Sequence, residues 1–288
     1  MNGVVNFLKP PGMSSNGAVV FLRGVLGVKK TGHAGTLDPG ACGVLPVCVG
    51  KATRISSYMM NAQKEYIAEL TFGKSTDTAD SYGQVIKVCT LPPPDPEAVK
   101  SALVGFTGQI TQRTPAYSAA KHEGQALYKL ARRGISVPAK QRTVVIHKAE
   151  YLRQTRAEAH LLRFVCSKGT YIRTLCEDLG KMFGTCSYMS FLVRTKCAGL
   201  DIADAYTADE IKQITDLGSI LLPPDMFLGG LVRIDVQPNC RSMLVNGAQA
   251  AYHGEDTMAA RVYTDGCLIG IGCAQDGKIK ITTLLVDN

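Results

Sequence analysis

The chain has 288 residues, of which 45% are hydrophobic, and its formal net charge is +8 at pH 7. This length allows one large domain and a smaller one with real cores, and the positive charge is compatible with a polyanionic partner. No run of about eighteen apolar residues occurs, and residues 1–9 lack the charged and apolar regions of a signal peptide. We therefore predict a cytoplasmic protein without a membrane-spanning helix.

The ten cysteines include no Cys-x-x-Cys pair, which argues against a zinc ribbon or a thioredoxin-type centre. In a reducing compartment we expect most of them to be buried thiols that pack as small hydrophobic side chains.

Helix and strand signals are mixed along the chain, which favours an α+β fold over a doubly wound parallel sheet. Residues 64–72 alternate as a strand, and Asp95 caps a helix that has Pro96 at its first position. A second alternating strand at 160–166 runs into a helix that Gly184 ends. The apolar face of that helix comprises Ile172, Leu175, Cys176, Leu179, Met182 and Phe183.

The end of the chain has a different character from the rest. Thr207 and Glu210 form a predicted capping box, and prolines and glycines then cluster at 222–230, where we place a domain boundary. Beyond the boundary, residues 268–273 and 278–281 are joined through Asp-Gly, which predicts a hairpin. The tail is therefore expected to be a small β domain.

The most informative segment is Gly32–Pro39, Gly-His-Ala-Gly-Thr-Leu-Asp-Pro, because it holds one carboxylate between conformationally restricting neighbours. Pro39 disfavours the α conformation at Asp38, and the glycines permit backbone angles that other residues avoid. Taken alone, the segment could equally be a tight turn in which Asp38 caps a local amide.

This loop and four other blocks in the same order resemble the bacterial tRNA pseudouridine-55 synthases, the B-type pseudouridine synthase family. Several ordered blocks are far more specific than any one of them. The other four blocks are Lys9–Ser15, Lys64–Tyr66, Thr76–Asp80 with Gly83, and Ser167–Arg173.

The resemblance implies an α+β catalytic domain at residues 1–225, with a mixed, mainly antiparallel sheet. It also implies a small β domain of the PUA type, an RNA-binding module, at residues 231–288. The reaction moves uracil from an N1 to a C5 linkage with ribose C1′, and it needs no metal and no cofactor. The substrate implied is a uridine in the T loop of tRNA, and we expect the chain to act as a monomer.

By the same resemblance, Asp38 is the catalytic carboxylate, and Arg173 pairs with it and keeps it ionised. The sequence leaves open whether Asp38 attacks C1′, attacks C6 of the base, or removes a ribose proton. Tyr66 corresponds to the base-stacking tyrosine, which is also a candidate for proton transfer at C5. From the strand pattern alone, Tyr66 would be a core residue.

Three further residues are implied to contact the substrate. Tyr171 and Leu192 correspond to positions that line the base pocket, and His33 corresponds to a loop histidine that contacts RNA around the extruded base. The segment Leu192–Thr195 is Leu-Val-Arg-Thr, where many family members carry a second arginine.

Residues 114–138 contain a basic stretch with interleaved tyrosines on a predicted short helix that ends at Gly134. The stretch resembles the RNA-gripping insertion of the bacterial family, with Lys121, Arg132 and Arg133 as candidate RNA-binding residues. The alternative is an ordinary solvated charged helix face.

Two other classes of function compete with an isomerase: a non-catalytic RNA-binding protein and another carboxylate enzyme, such as a glycosidase or a nucleobase deaminase. A non-catalytic tRNA-binding or tRNA-folding protein could use the same scaffold, although Asp38, Tyr66 and Arg173 all remain present. A glycosidase normally needs two carboxylates across the bond, and the zinc deaminase signature is absent from the sequence.

Overall fold

The structure, a computed structural model, describes residues 1–135 and 137–287. The described residues form seven α-helices: α1 (Ser15–Leu26), α2 (Ser56–Asn61), α3 (Pro96–Ala102), α4 (Leu127–Ala131), α5 (Ile172–Met182), α6 (Ala208–Gln213) and α7 (Arg241–Val245). The first nine strands are β1 (Gly3–Lys9), β2 (Thr31–His33), β3 (Cys42–Val49), β4 (Lys64–Phe72), β5 (Lys74–Thr76), β6 (Val85–Val88), β7 (Gly108–Arg113), β8 (Lys121–His122) and β9 (Gln125–Ala126). The later strands are β10 (Gln141–Arg156), β11 (Ala159–Cys166), β12 (Ser187–Cys197), β13 (Leu200–Asp201), β14 (Val232–Asp235), β15 (Ala250–Ala251), β16 (Thr257–Thr264), β17 (Cys267–Gln275) and β18 (Lys278–Leu284).

The main sheet runs in the order β1-β3-β12-β4-β11-β10-β7, with β2 beside β3 and β13 beside β12. Its pairings are antiparallel except for a short parallel contact between β3 and β12. The prediction of an α+β fold with a mainly antiparallel sheet is confirmed.

Strand β4 lies in the middle of this sheet and has the alternation that the sequence predicted. Tyr66, Ala68, Leu70 and Phe72 are all buried, as expected for one face of a strand that packs on a core. The same core contains apolar side chains of α1 and α5, so the two helices cover one face of the sheet. The N-terminus of α5 is thereby fixed beside β4 and β12.

Most local predictions are confirmed. Asp95 accepts a hydrogen bond from the Ala98 amide at the start of α3, and Thr207 and Glu210 form the capping box of α6. Gly184 follows α5 with φ +66°. One detail is wrong, because Met182 is 58% exposed. It is the last residue of α5, and the neighbouring Phe183 packs edge-on against Phe72 instead.

The expectation for the cysteines is only partly correct. Cys48, Cys166, Cys176 and Cys197 are buried thiols, whereas Cys267 is exposed. Three further thiols, those of Cys42, Cys240 and Cys273, are partly exposed. The remaining two cysteines, Cys89 and Cys186, are joined in a disulfide. Gly73 hydrogen-bonds to the backbone of both cysteines, so the end of the β5–β6 hairpin lies beside the start of β12.

A second sheet, in the order β14-β16-β17-β18-β15, has a hydrophobic core of its own. The predicted hairpin is its β17–β18 pair, and Asp276 and Gly277 turn the chain with positive φ. A small apolar cluster connects this part to the first one through Ile55, Leu228, Ile271 and Leu285. Within residues 1–135 and 137–287, the structure contains no helix long and apolar enough to cross a membrane.

Candidate active site

Asp38 lies in the irregular segment between β2 and β3, where several hydrogen bonds fix the backbone. The Ser15 hydroxyl, at the start of α1, donates to the Leu37 carbonyl and accepts from the Leu37 amide, both at 2.8 Å. The Ala41 amide donates to the Asp38 carbonyl at 3.1 Å and closes a turn that contains Pro39. The loop therefore holds Asp38 in one position, as the Gly/Pro pattern predicted.

Lys9 supports the same turn from the end of β1. Its side chain is fully buried, and Nζ donates to the carbonyls of Met13 at 2.7 Å, Pro10 at 2.9 Å and Pro39 at 3.3 Å. Burial lowers the pKa of Lys9 to about 8, because the ammonium is removed from water. Lys9 thus ties the first strand to the residue that follows Asp38.

Arg173 pairs with Asp38 from the first turn of α5. Its Nε lies 3.0 Å from Asp38 Oδ2 and 3.8 Å from Asp80 Oδ2. The two terminal nitrogens donate to the carbonyls of Thr78 at 2.9 Å and Tyr117 at 2.8 Å. The Arg173 side chain is 5% exposed and that of Asp38 is 38% exposed. The guanidinium is therefore a buried anchor, while the carboxylate remains open to a ligand.

Tyr66 lies on β4 opposite Arg194 on β12. Arg194 is fully buried, and its guanidinium donates to the carbonyls of Val44 at 2.8 Å, Gly35 at 3.1 Å and Thr36 at 3.3 Å. Burial raises the pKa of Tyr66 to about 12, although the nearby Arg194 charge acts in the opposite direction. Tyr66 is consequently a neutral phenol in the neutral pH range, with its hydroxyl proton in place.

These residues surround one cleft of about 240 Å³. Asp38 and Arg173 lie on its wall, and so do Tyr66, Tyr171 and Leu192. The structure thus brings together five of the six residues that the resemblance implied for catalysis and base binding. Lys64 and Arg194 also line the cleft, so its walls carry apolar, aromatic and cationic groups.

Tyr171 is held from two sides. The buried Gln112 side chain donates to the Tyr171 carbonyl at 3.1 Å and accepts from the Tyr171 amide at 3.0 Å. The Arg142 guanidinium lies over the Tyr171 ring, 5.4 Å from its centroid, and donates to the Gly169 carbonyl at 3.1 Å. Both supporting side chains come from the far edge of the sheet, β7 and β10.

His33 is not among the residues that line the cleft. It ends β2, paired with Val47, and burial followed by the nearby Arg194 charge lowers its pKa. Its Nδ1 is buried and has no hydrogen-bond partner within the described part of the chain. Of the six residues that the resemblance implied, His33 is thus the one that does not line the cleft.

The three candidate RNA-binding residues of the 114–138 segment also lie outside the cleft. Lys121 is exposed on β8, and Arg132 and Arg133 are exposed just after α4. The segment nevertheless reaches the cleft through its backbone, because the Tyr117 carbonyl accepts the hydrogen bond from Arg173.

Three residues of the site were not expected from the sequence: Lys9, Gln112 and Arg194. The sequence did contain an indication for Arg194. This residue lies two positions after Leu192 on β12, so both side chains are on the buried face of the strand, where a charged residue is unexpected. Lys9 lies within a quoted motif, but its three carbonyl partners could not be inferred. Nothing in the sequence indicated Gln112.

In the residues that the structure describes, no three His, Cys, Asp or Glu side chains are grouped so that they could hold an ion.

Comparison with protein-family models gives two consecutive matches. Residues 23–172 match "TruB family pseudouridylate synthase (N terminal domain)", and residues 173–228 match "tRNA pseudouridylate synthase B C-terminal domain". Together these matches span most of the chain and end where the second sheet begins.

Curated relatives give the same result. The chain is 39% identical over 282 residues to a tRNA pseudouridine synthase B of Caldanaerobacter subterraneus, covering 97% of this chain and 98% of the relative. It is 43% identical over 253 residues to that of Symbiobacterium thermophilum, covering 87% and 84%. Among solved structures, the chain is similar to one chain of an H/ACA RNP bound to a substrate RNA containing 2′-deoxyuridine. The TM-score is 0.71 and the sequence identity is 22%, and the match covers 99% of this chain and 85% of that chain. This last likeness concerns the fold alone.

Proposed function

Since the chain belongs to the TruB family of pseudouridylate synthases and isomerises uridine in tRNA, we propose that its target is the uridine at position 55 of the T loop. The choice of position 55 follows from the five ordered motifs that resemble the bacterial tRNA pseudouridine-55 synthases. The observation that carries the chemistry is the Asp38 carboxylate, which is open to the cleft and held 3.0 Å from the buried Arg173. The cleft is concave, and stacked bases cannot reach it, so the uridine must be flipped out of the folded RNA loop.

We assign the flipped uracil to the space between Tyr66, Tyr171 and Leu192. Aromatic stacking is favourable by ~1–3 kcal/mol per base, which offsets much of the few kcal/mol that flipping costs. The side chains of Tyr66 and Leu192 are buried, so they offer a dry surface to the base. A dry pocket also keeps water away from C1′ while the glycosidic bond is broken.

Asp38 is the reacting carboxylate in this proposal. The C1′–N1 bond breaks, the base rotates while bound, and a C1′–C5 bond forms as the C5 proton leaves and N1 gains one. Asp38 acts at C1′, at C6 or on a ribose proton, and all three routes need an ionised carboxylate. Arg173 supplies the positive charge that compensates the carboxylate. Its three nitrogens contact Asp38 and the carbonyls of Thr78 and Tyr117, and these contacts fix the orientation of the guanidinium beside Asp38.

We assign Tyr66 the transfer of the C5 proton. With its pKa at about 12, Tyr66 is a neutral phenol at neutral pH, so it relays the C5 proton by accepting it at Oη while its own hydroxyl proton passes to solvent. The proton that N1 gains comes back from solvent. No redox step and no second substrate is needed, because the reaction is an isomerisation.

We also propose roles for the remaining parts of the chain. Residues 1–225 form the catalytic domain, and residues 231–288 form a PUA-like module that contacts RNA outside the T loop. Segment 114–138 grips the T-stem loop with Lys121, Arg132 and Arg133, while His33 contacts the RNA around the extruded base. The separate core of the second sheet supports this division, and we propose that the chain acts as a monomer.

The test is to incubate the protein with unmodified tRNA transcripts and to map pseudouridine by position. We expect modification at position 55, and none there with a transcript that carries cytidine at this position. Modification of a different uridine would contradict the T-loop assignment. Stable binding without any pseudouridine would favour a tRNA-folding protein instead.

A second experiment tests Asp38. The Asp38→Ala and Asp38→Asn variants should lose isomerisation but bind tRNA within a few-fold of the parent, because phosphate contacts provide most of the affinity. Measurable turnover by Asp38→Ala would sink the assignment of the carboxylate. Arg163→Ala, a surface change on β11, is the matched control and should keep full activity.

A further inference from the structure

Tyr82 is an exposed aromatic residue close to the Asp38 turn, and no role has been assigned to it so far. It lies in the turn between β5 and β6, and its side chain is 66% exposed. Isolated exposed apolar residues are common on protein surfaces and need no explanation by themselves. The position of this ring relative to the reacting carboxylate distinguishes it from such residues.

The Tyr82 ring is seated on the turn that presents Asp38. A Cβ added to Gly40 would lie only 2.0 Å from a Tyr82 ring carbon, so the ring packs directly on the glycine backbone. Gly40 belongs to the Asp38–Ala41 turn, whose closing hydrogen bond runs from the Ala41 amide to the Asp38 carbonyl. The ring is therefore next to the reaction centre, although most of its surface faces solvent.

The backbone beneath Tyr82 is fixed as well. Asp80 Oδ1 accepts hydrogen bonds from the Tyr82 amide at 3.0 Å and from the Thr78 hydroxyl at 2.7 Å. The Thr78 carbonyl in turn accepts from Arg173, the partner of Asp38. The same guanidinium thus holds both the carboxylate and the backbone of the loop that carries Tyr82.

An exposed ring that packs on the Asp38 turn has a suitable ligand in the substrate. When a uridine leaves the stack, the neighbouring nucleotides lose a stacking partner and expose a base face. Every base offers such a face, and an aromatic side chain can stack on it without hydrogen-bond readout. We propose that Tyr82 forms a second nucleobase subsite, where an unpaired base next to the extruded uridine stacks on its ring. This inference rests on the proposed RNA substrate and adds a contact to it.

The chain contains no tryptophan, which allows a direct spectroscopic test. In the Tyr82→Trp variant, the single indole reports its own surroundings when unmodified T-stem-loop RNA is added. Val88→Trp is the matched control, since Val88 is 63% exposed on β6 of the same hairpin. Binding is measured in parallel from the anisotropy of end-labelled RNA.

We expect the emission of Tyr82→Trp to be quenched along the same saturation curve as the anisotropy, and that of Val88→Trp to stay constant. An unchanged emission of Tyr82→Trp at saturating RNA would overturn the subsite. Equal quenching in both variants would also overturn it, because it would reflect general proximity to RNA rather than stacking.

Steady-state kinetics separate a binding role from a structural one. Removal of the stacking ring in Tyr82→Ala should raise KM for tRNA by about 5- to 150-fold with kcat within about twofold, and Tyr82→Phe should behave as the parent. A fall in kcat at constant KM would show that the ring only supports the Asp38 turn, and would refute the proposal. The activity of the parent enzyme separates failure of the proposed function from failure of the subsite. If the parent makes no pseudouridine, the proposed function fails. If the parent is active but the emission of Tyr82→Trp does not respond to RNA, only the subsite fails.

Discussion

At the scale of single residues, Arg173 carries the most connections in the cleft. Its three nitrogens point to three different segments: the Asp38 loop, the β5–β6 turn and the 114–138 segment. A lysine ammonium at the same place is a point charge on a flexible stem and cannot reproduce this planar arrangement. The arginine therefore positions the carboxylate as well as compensating its charge.

The Arg173→Lys variant should accordingly lose activity although the net charge is unchanged. We expect kcat to fall on the order of 100-fold, the size of effect that a displacement of about 1 Å at a reacting group produces. Single-turnover rates on tRNA are the measurement, with Arg163→Lys as the control for a surface ion pair. Parental activity in Arg173→Lys would mean that the pairing is unimportant.

Tyr66 gives a prediction about pH. Its pKa in the folded chain is about 12, above the ordinary phenol value of 10, because burial disfavours the phenolate. The folded state therefore holds this proton more tightly than the unfolded state. The resulting stability is fully present below pH 10 and is lost as the pH rises through about 12.

Urea unfolding of the parent and of Tyr66→Phe between pH 8 and pH 12 tests this directly. The free energy of unfolding of the parent should fall more steeply than that of the variant above pH 10. Tyr128→Phe, which removes an exposed phenol on α4, is the control. Parallel curves for parent and Tyr66→Phe would contradict the raised pKa. The same variant should bind tRNA but isomerise slowly.

The sequence predicted the residues that we propose to react and missed the residues that support them. Asp38 and Arg173 could be found because each lies in a short motif that resembles a motif of the family, whereas the backbone pattern alone left Asp38 equally well explained as a turn residue. Arg194 was missed because its partners, the carbonyls of the Asp38 loop, lie up to 159 residues away in the chain. Gln112 was missed for the same reason, since only the fold brings β7 to the start of α5. Backbone partners at long range leave no pattern in a single sequence.

At the scale of elements, strands and helices with strong periodicity were predictable from the sequence. Which elements lie next to each other in the fold was not predictable. The alternation of β4 and the cap of α3 follow from local chemistry. The parallel contact between β3 and β12 follows from tertiary packing instead, and this contact brings Leu192 and Arg194 beside the Asp38 loop. The sequence therefore indicated which elements exist, while the fold decides which of them build the cleft.

The 114–138 segment illustrates how one element can serve two purposes. Its backbone supports Arg173 through Tyr117, while its basic side chains are exposed. If the segment grips RNA, changing Arg132 and Arg133 together to Ala should weaken tRNA binding. The slope of log affinity against log salt should also become shallower, by ~0.7–0.9 for each phosphate that the variant no longer neutralises.

Filter binding over a range of salt concentrations gives this slope. The control changes Lys100 and Lys212, two exposed lysines on α3 and α6 that each lie near a carboxylate. We expect that control to leave the slope unchanged. If the Arg132 and Arg133 double variant also keeps the parental slope, the segment is a solvated surface and does not bind RNA.

At the scale of the whole molecule, the two sheets have separate cores but share a boundary. Ile55, Leu228, Ile271 and Leu285 form one buried cluster across it. Arg54 also donates to the Leu284 carbonyl at 2.7 Å. Removing the tail would expose this cluster and could destabilise the catalytic part, so loss of activity after truncation would not reveal what the tail binds. Surface substitutions that leave the boundary intact are the sharper test.

Lys278 and Lys280 offer such a test. They are exposed on β18 on either side of the buried Ile279, and both line a surface cavity of about 250 Å³. If residues 231–288 contact RNA outside the T loop, changing both lysines to Ala should weaken binding of whole tRNA. Binding of an isolated T-stem loop should stay the same, because that hairpin ends before it reaches the tail.

The Lys100 and Lys212 control should affect neither RNA. Equal losses on the two RNAs would place these lysines at the T-stem loop itself. No loss on either RNA would mean that this face of the second sheet does not bind RNA, and its role would then be to cover the apolar boundary around Ile55.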